Sequence, residues 1–219
     1  MVIYIVRGVK MTEYEKMISG LLYNSSDEEL INMRTKLRLQ VDKFNRSSPA
    51  DYEHRMQIID EMIPNHGDNI YIEPNIRLEY GINLKIGKNF FLNFDSVILD
   101  VCPITIGDNV LIGPRVVIAT PMHPLDYHER NTQLVDGKMR SLEYAKPITI
   151  GNNVWIASNV TICGGVTIGD NVVIGSGSVV TKDIPIDTLA YGVPCKPIRK
   201  ITEKDRMYKE QGYDIYPTY

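Results

Sequence analysis

Aliphatic residues recur at every sixth position through the C-terminal half of the chain. The run comprises Ile150, Ile156, Ile162, Ile168, Ile174 and Val180. The residues that directly follow are mostly small, namely Gly151, Ala157, Cys163, Gly169, Gly175 and Thr181. The same phase occurs earlier, at Ile106-Gly107, Ile112-Gly113 and Ile118-Ala119, and more loosely at Ile86-Gly87, Leu92 and Ile98. An α-helix repeats about every 3.6 residues and a strand every second residue, so neither produces this spacing.

A second column of mostly apolar residues lies four positions after the first. Its members are Val154, Val160, Val166, Val172, Ser178 and Ile184. Two inward positions in each repeat fit a coil of short flat strands, in which equivalent residues stack from one coil to the next. The small residue permits a tight corner, and turn-forming pairs follow it at Asp108-Asn109, Asn152-Asn153 and Asp170-Asn171. The pattern predicts a mainly β chain, with a β-helix over residues 70–199.

Helical patterns precede the repeats, and we assign residues 11–69 to an N-terminal helical segment. Thr12 and Glu15 have the spacing of a capping box. Two further helices are predicted, one from Asp27 through Phe44 and one over Asp51–Ile63. Residues 1–10 lack the charge order of a signal peptide and are interpreted as an extension. Residues 200–219 form a C-terminal tail that is predicted to be partly helical.

One long polar interval interrupts the repeats, and we assign residues 119–147 to an extruded loop. Long irregular segments inside a compact array are typically functional or disordered. Pro121 and Pro124 stiffen the start of this loop and flank His123. A histidine held in that way is a candidate general base, because its pKa lies near the working pH of most enzymes.

Composition narrows the function classes. The net charge of −3 and the absence of a basic run argue against a nucleic-acid partner. The apolar stretches are too short to cross a bilayer, so no membrane partner is expected. The chain has 3 cysteines, Cys102, Cys163 and Cys195, at spacings unlike those of a metal site or a disulfide framework. We therefore expect three thiols that are small, buried or half-buried, in a cytoplasmic protein without a metal.

At this point the sequence resembles the maltose/galactoside O-acetyltransferases. The likeness rests on the [LIV]-G-x4 repeats, the loop segment TPMHPLDYHERN, the tail GVPCKPIR and the opening MTEYEKMISGLLYNSSDEEL, and it spans roughly Met11 to Arg206. The resemblance implies a left-handed parallel β-helix, a homotrimer with active sites between subunits, acetyl-CoA as the acetyl donor and a sugar hydroxyl as the acceptor.

The resemblance also implies catalytic residues. His123 coincides with the family's catalytic histidine, and His128 in the same loop is the alternative. Glu143 is a candidate to orient His123 by accepting its other ring N–H, since it stands where the loop closes. Asn93 matches an asparagine that contacts the acceptor near the reacting hydroxyl. The backbone N–H at Ser158 is the expected donor to the oxyanion.

On the acceptor side, the resemblance implies contacts from Glu79, Tyr80, Asn93 and Asp100. Glu79 stands where the galactoside member of the family has a serine, and Val101 stands where that member has an acidic residue. These departures favour the maltose/glucose branch. From the N-terminal segment, Asp27, or else Asn24 or Ser25, is expected to complete the sugar pocket.

On the cofactor side, the expected residues supply a groove for the pantetheine arm and cations for the phosphates. They are Trp155, Ser158, Ser176, Thr181, Lys182, Lys196 and Arg199. Trp155 is the only tryptophan, and either stacks near the cofactor or packs the base of the loop.

Three other functions fit parts of the pattern. One is an acetyltransferase of the same fold that acts on a galactoside, an antibiotic or an amino-acid hydroxyl. A second is a β-helical metal enzyme, which would need three histidine ligands, whereas the repeat region holds only His123 and His128. A third is a non-catalytic scaffold of stacked coils, which would not need the loop, TKD and GVPCKPIR motifs together.

Overall fold

The computed structural model describes the backbone of residues 5–6 and 9–10 and all of residues 11–207. Ile5–Val6 and Val9–Lys10 pair as antiparallel strands. The rest of the predicted 1–10 extension lies outside the described residues, and so do residues 208–219 of the tail. The described part of that tail contains one short 3₁₀ helix, Glu203–Asp205.

Three helices precede the repeats: α1 (Glu13–Ile18), α2 (Glu28–Asn45) and α3 (Tyr52–Met62). The capping box at α1 is present, because the Thr12 side chain and the Glu15 side chain each accept a backbone N–H of the other residue. Asp27 and Asp51 accept the first free N–H groups of α2 and α3 in the same manner. The buried face of α2 is formed by Leu30, Leu37, Val41 and Phe44.

The remainder of the chain winds into a parallel β-helix with three faces. The threonine face contains Asn65–His66, Leu84–Ile86, Ile104–Ile106, Ile148–Ile150 and Thr167–Ile168. The tryptophan face contains Ile70–Ile72, Phe90–Leu92, Leu111–Ile112, Trp155–Ile156, Val173–Ile174, Thr188–Gly192 and Cys195–Lys200. The valine face contains Arg77–Leu78, Val97–Leu99, Val117–Ala119, Thr161–Cys163 and Val179–Val180. The final strand, Cys195–Lys200, is the one antiparallel member of these faces in the described structure.

The stacked aliphatic residues form the core, as the spacing predicts. Ile112 pairs in register with Ile156, and Ile156 pairs with Ile174. All three side chains are fully buried. The first strand of the coil, Asn65–His66, pairs with Leu84–Ile86, so the coil begins before the boundary at residue 70 that the sequence pattern gave.

The turn-forming residues make a ladder at the corner between the threonine and tryptophan faces, the asparagine corner. Each side-chain amide donates to the next residue at 2.8 or 2.9 Å. Each of these residues has a positive φ near 56°, a conformation in which asparagine is favoured over most residues. The ladder runs through Asn69, Asn89, Asn109, Asn153, Asn171 and Asp187.

The extruded loop has secondary structure of its own. Its strands are Pro121–Met122, Gln133–Val135, Lys138–Arg140 and Leu142–Ala145, with a short helix α4 at Tyr127–Arg130. Asp136 and Gly137, both at positive φ, form the turn of a two-residue hairpin. The strand Leu142–Ala145 pairs on one edge with Pro121–Met122 and on the other with Tyr23–Asn24 of the N-terminal segment.

Candidate functional site

The loop leaves the coil at the corner between the valine and threonine faces, which we call the loop corner. Glu79 and Tyr80 follow the valine-face strand Arg77–Leu78, and Asp100 follows Val97–Leu99. Thr181 and Lys182 follow Val179–Val180 at the last coil. His123 and Glu143 belong to the loop itself. These seven predicted site residues therefore lie along one corner of the molecule.

A different corner holds three of the others. The corner between the tryptophan and valine faces, the serine corner, contains Asn93, Ser158 and Ser176, because each follows a tryptophan-face strand. Lys196 lies beside it, paired with Tyr191 at the end of that face. Asn93 is half-buried, and its Oδ1 accepts the N–H of Phe94 at 2.9 Å, which leaves its Nδ2 free to donate.

One chain does not bring these two groups together. The valine face separates the serine corner from the loop corner, and its side runs from Asn93 to Leu99. At about 3.3 Å per extended residue, that side measures roughly 15–20 Å. Hydrogen bonds operate within about 3 Å, so His123 and the Ser158 N–H cannot serve one reacting carbonyl within a single subunit.

His123 is exposed, and it makes no hydrogen bond within the described part of the chain. Met122 pairs with Tyr144 in an antiparallel register that, continued by one residue, sets His123 opposite Glu143. The predicted bond between them is not formed in this structure. Glu143 instead accepts a hydrogen bond at 2.8 Å from the hydroxyl of Tyr23, a residue that sequence reasoning missed.

His128, the alternative base, lies on the exposed helix α4. Its Nδ1 is 2.9 Å from Asp126 Oδ1, and its ring stacks against Tyr127 with centroids 3.8 Å apart. The side chain is 70% exposed. Within the described residues, its side chain makes no hydrogen bond to the loop strands Pro121–Met122 or Leu142–Ala145.

Two arginines of α2 hold Glu79. Arg38 Nη2 lies 3.1 Å and Arg34 Nε 3.6 Å from its carboxylate oxygens. Arg34 also donates to Tyr80 Oη at 2.7 Å and to the Ser25 carbonyl at 2.9 Å. Helix α2 is thereby fixed to the acceptor-side residues of the loop corner. Neither arginine was identified from the sequence, because both contacts join residues that are far apart in the chain.

Asp100 is fully buried, so the prediction that it contacts the acceptor directly does not fit its position. Its Oδ1 accepts the backbone N–H of Tyr80 at 2.8 Å, and its Oδ2 has no hydrogen-bond partner. Burial raises the pKa of this carboxyl to about 6. Val101 is buried beside it in an apolar cluster with Tyr23 and Tyr80. Both residues thus lie in the interior of the loop corner rather than face solvent.

The remaining acceptor-side expectations fall on the N-terminal segment. The Asp27 side chain accepts the Glu29 N–H at 3.0 Å and caps α2. Asn24 and Ser25 contact the loop: Asn24 Oδ1 accepts the Ser141 N–H at 3.0 Å, and the Ser25 N–H donates to the Ser141 carbonyl at 2.9 Å. All three side chains therefore have structural partners within this chain.

The serine corner has two open backbone donors. The residues at equivalent positions of successive coils are Pro74, Phe94, Pro114, Ser158 and Ser176. Proline has no N–H, and the Phe94 N–H is taken by Asn93. Within the described residues, the N–H groups of Ser158 and Ser176 have no acceptor. Both are candidates to donate to a ligand, as the resemblance implies for Ser158.

The tryptophan face presents an apolar stripe. Its outward side chains stack in register from Tyr71 through Phe91, Leu111, Trp155 and Val173 to Leu189. Trp155 is 52% exposed and Leu111 51% exposed, so Trp155 does not pack the base of the loop. The outward residues of the threonine face are Lys85, Thr105, Thr149 and Thr167, which suit solvent. A continuous exposed apolar stripe is typical of a surface that another molecule covers.

The expected cofactor cations differ in their partners. Arg199 is held by Asp205 through hydrogen bonds of 2.9 and 2.6 Å, and this pair lowers the pKa of Asp205 to about 2. An open cavity of about 750 Å³ lies beside the pair, lined also by Lys200 and Lys204. Lys182 and Lys196 are exposed.

Three further observations concern metal ligands, membrane-spanning helices and cysteines. Within the described residues, no group of three or more His, Cys, Asp or Glu side chains is arranged to hold a metal ion. No helix in that part of the chain is long and apolar enough to cross a membrane. The cysteines are free, with Cys102 and Cys195 buried and Cys163 half-buried, as predicted. Burial raises the pKa of the Cys102 thiol to about 11.

Sequence profiles place the chain among the hexapeptide-repeat transferases. The maltose acetyltransferase hexapeptide capping motif matches residues 16–67, and the bacterial transferase hexapeptide profile (six repeats) matches residues 147–182. A hexapeptide repeat of succinyl-transferase matches residues 103–121. The capping motif coincides with the three helices, and the repeats coincide with the coil.

Comparison with individual proteins identifies the family. The galactoside O-acetyltransferase of Escherichia coli is 43% identical over 94% of this chain and 98% of its own length. The crystal structure of a maltose O-acetyltransferase from Clostridium difficile is 47% identical, with a TM-score of 0.81, and covers 88% of this chain and 99% of that one. A hexapeptide-repeat acetyltransferase of Vibrio cholerae, complexed with acetyl coenzyme A, is 36% identical, with a TM-score of 0.78 over 88% of this chain and 100% of its own. The chain belongs to the O-acetyltransferases of the galactoside/maltose type.

Proposed function

We propose that this protein transfers an acetyl group from acetyl-CoA to a hydroxyl of a sugar, at sites formed between subunits. The observation that carries the proposal is the distribution of two half-sites on opposite edges of the valine face. The loop corner supplies His123, to which we assign the role of the base, one residue beyond the strand Pro121–Met122. The serine corner holds open N–H groups that suit an oxyanion and a pantetheine arm. Within the described residues, the loop corner lacks these open N–H groups, and the serine corner lacks a histidine.

The proposed reaction has two proton transfers, both at His123. The imidazole takes the proton of the sugar hydroxyl while the oxygen attacks the thioester carbonyl carbon. A tetrahedral intermediate forms, and collapse breaks the carbon–sulfur bond. The imidazolium then gives its proton to the departing CoA sulfur, which leaves the acetylated sugar, free CoA and neutral His123. Asn93, with its free Nδ2, contacts the acceptor near the reacting hydroxyl.

The oxyanion of that intermediate accepts a hydrogen bond from the Ser158 N–H. A donor that is already in place before the reaction stabilises developing charge without reorganisation, and removing one such donor typically costs about 10²–10³ in kcat. Pro74 and Pro114 occupy the equivalent turns of other coils. Of these equivalent turns, the one at Ser158 has a free N–H for the reaction, whereas the turns at Pro74 and Pro114 have none.

Assembly into a homotrimer brings the two half-sites together. The apolar stripe on the tryptophan face and the aliphatic surface of the valine face flank the serine corner, while the threonine face is polar. A cyclic arrangement of three such prisms packs the serine corner of one subunit against the loop corner of the next. Trp155, within the stripe and three residues before Ser158, then lies beside the pantetheine arm.

The phosphates of the donor bind the exposed cations. Lys182 lies at the loop corner, and Lys196 and Arg199 both lie on Cys195–Lys200, the final strand of the tryptophan face. Thr181 and Ser176 lie along the same path. In a cleft between subunits, cations from two chains surround one set of phosphates.

We infer that the acceptor is a glucose or maltose type of sugar. Glu79, fixed by two arginines, and the buried Val101 replace the serine and the acidic residue of the galactoside member. Val101 has no polar group on its side chain, and the Glu79 carboxylate is already paired with two cations, so both positions differ in chemistry from that member. The three free cysteines favour the cytoplasm, where thiols stay reduced.

The experiment is a panel of sugars incubated with acetyl-CoA, in which free CoA thiol is measured. We expect release with glucose or maltose above that with galactosides. His123→Ala should reduce kcat by about 10³-fold or more, because base catalysis and leaving-group protonation are both lost. His128→Ala is the matched control from the same loop and should retain activity. Unchanged activity in His123→Ala would contradict the mechanism, and turnover with non-sugar hydroxyls alone would contradict the substrate class.

A further inference from the structure

The strand Leu142–Ala145 of the extruded loop is joined to the N-terminal segment by a dense set of hydrogen bonds. Asn24 Oδ1 accepts the Ser141 N–H at 3.0 Å, and the Ser25 hydroxyl and N–H both donate to the Ser141 carbonyl. The register pairs Glu143 with Tyr23. The N-terminal segment therefore determines where Glu143 lies.

Tyr23 itself is held firmly. It is 1% exposed and packs in a cluster with Met17, Leu30, Tyr80 and Ala145. Its hydroxyl donates to Glu143 Oε2 at 2.8 Å. Burial, and next the nearby negative charge of Glu143, raise the pKa of Tyr23 well above its ordinary value. The phenol therefore remains a hydrogen-bond donor at every working pH.

Glu143 has one oxygen left for another partner. Its Oε1 has no hydrogen bond within the described residues, while Oε2 is taken by Tyr23. Residues that lie directly opposite in an antiparallel pair share a face of the sheet, with Cβ atoms about 5 Å apart. The antiparallel register that pairs Met122 with Tyr144, continued by one residue, sets His123 opposite Glu143. Tyr23 and Glu143 thus lie in one row across two adjacent strands, and His123, one residue beyond the end of Pro121–Met122, continues that row.

From this row we propose that Tyr23 is a positioning residue for the acetyl transfer: its hydroxyl fixes the Glu143 carboxylate, which then accepts one ring N–H of His123 and leaves the other nitrogen free as the base. The proposal rests on the proposed function, since His123 is the base there. In addition, the N-terminal segment sets the orientation of the His123 ring through Tyr23 and Glu143. A carboxylate released from Tyr23 would turn toward solvent and select the tautomer less strongly.

The test compares Tyr23→Phe with Tyr14→Phe. Phenylalanine keeps the packing of the ring at both sites. Tyr14 is a matched control, because its hydroxyl donates to Asn83 Oδ1 at 2.9 Å in the same segment without reaching Glu143. We expect Tyr23→Phe to lower kcat about 10-fold, the loss of one hydrogen bond to a charged group, while KM for acetyl-CoA stays unchanged. Tyr14→Phe should keep the wild-type kcat.

A second readout does not depend on turnover. The ¹⁵N shifts of the His123 ring, assigned with a His123→Gln variant, report which nitrogen carries the proton. We expect one dominant tautomer in the wild type and a mixture in Tyr23→Phe and in Glu143→Gln. Unchanged tautomers in Tyr23→Phe, or an equal loss of kcat in Tyr14→Phe, would overturn the proposal. An inactive wild type with a Tyr23-dependent tautomer would overturn the proposed function alone.

Discussion

Asp100 Oδ1 accepts the backbone N–H of Tyr80 at 2.8 Å, while its Oδ2 is buried without a partner. The interaction joins consecutive coils at the loop corner, where the acceptor-side residues lie. It places a carboxyl in an environment that disfavours its charge, and burial raises its pKa to about 6. Such a group has a measurable effect on the pH dependence of stability.

Asp100→Asn should flatten the pH dependence of stability. The folded pKa of about 6 exceeds the value of 3.8 for the free side chain, so the folded state binds more protons between these values. The contribution of Asp100 to the free energy of unfolding is therefore greatest below pH 4 and is lost as the pH rises through 6. The loss is about 3 kcal/mol, at about 1.4 kcal/mol per pH unit.

Urea unfolding at pH 4.5 and pH 7.5 measures this effect as a difference between the two stabilities. The difference should be smaller in Asp100→Asn than in the wild type. Asp136→Asn, which changes an exposed carboxyl at the hairpin turn, is the control and should keep the wild-type difference. An equal difference in all three proteins would show that Asp100 is not desolvated.

The asparagine corner gives a second test of the fold. Asn153 has φ near 56° and makes ladder hydrogen bonds of 2.9 Å to Asn109 and to Asn171. Asn153→Gly loses the two bonds but tolerates the conformation, and should cost about 1 kcal/mol. Asn153→Ala also strains the backbone and should cost about 1 kcal/mol more. Thermal and urea unfolding should rank the stabilities as wild type, then glycine, then alanine; alanine at least as stable as glycine would contradict this account.

The pair formed by Arg199 and Asp205 predicts a competition for the donor phosphates. If Arg199 binds phosphate, Asp205 must release it, so Asp205→Asn should lower the Kd of CoA about 3-fold. Arg199→Ala should raise that Kd about 10-fold. Calorimetric titration measures both. Glu203→Gln, on the same 3₁₀ helix but paired with Arg206, is the control. Weaker binding of CoA by Asp205→Asn would contradict this competition and show that Asp205 holds Arg199 in the orientation that binds phosphate.

Glu79 provides the test of acceptor choice. Its carboxylate is fixed by Arg34 and Arg38, and it stands where the galactoside member of the family has a serine. Glu79→Ser should raise the ratio of kcat/KM for galactosides to that for glucose about 5-fold. Glu61→Ser, which changes an exposed glutamate bonded to Gln40, is the control. An equal fall for both sugars would show that Glu79 only supports α2.

Much of the fold could be predicted because it is local and periodic. The six-residue spacing determines which residues point inward, and Thr12 and Asp27 mark helix starts through contacts within the same turn. The hairpin at Asp136-Gly137 was missed, although an Asp-Gly pair is a recognisable turn sequence. Not every apolar residue of α2 is buried, since Ile31 and Leu39 are exposed.

The sequence gives candidate site residues but does not show how they are arranged in space. Tyr23 and Glu143 are separated by 120 positions, so no spacing in the sequence indicates that they meet. Asp100 is buried at a corner of the coil, directly after a strand. The six-residue pattern does not tell whether a corner residue points inward or outward. The separation of His123 from Ser158 emerges only when each residue is assigned to a corner of the coil.

The most direct test of a site shared between subunits uses two defects at different corners. His123→Ala removes the base from the loop corner, and Ser158→Pro removes the open N–H from the serine corner by the residue found at Pro74 and Pro114. Differently tagged copies of the two variants are co-expressed, and mixed trimers are isolated through both tags. Each variant alone should be inactive. Every mixed trimer should contain one site with both groups intact, so the mixed species should recover about a third of wild-type kcat. Mixed trimers as inactive as their parents would contradict the shared site.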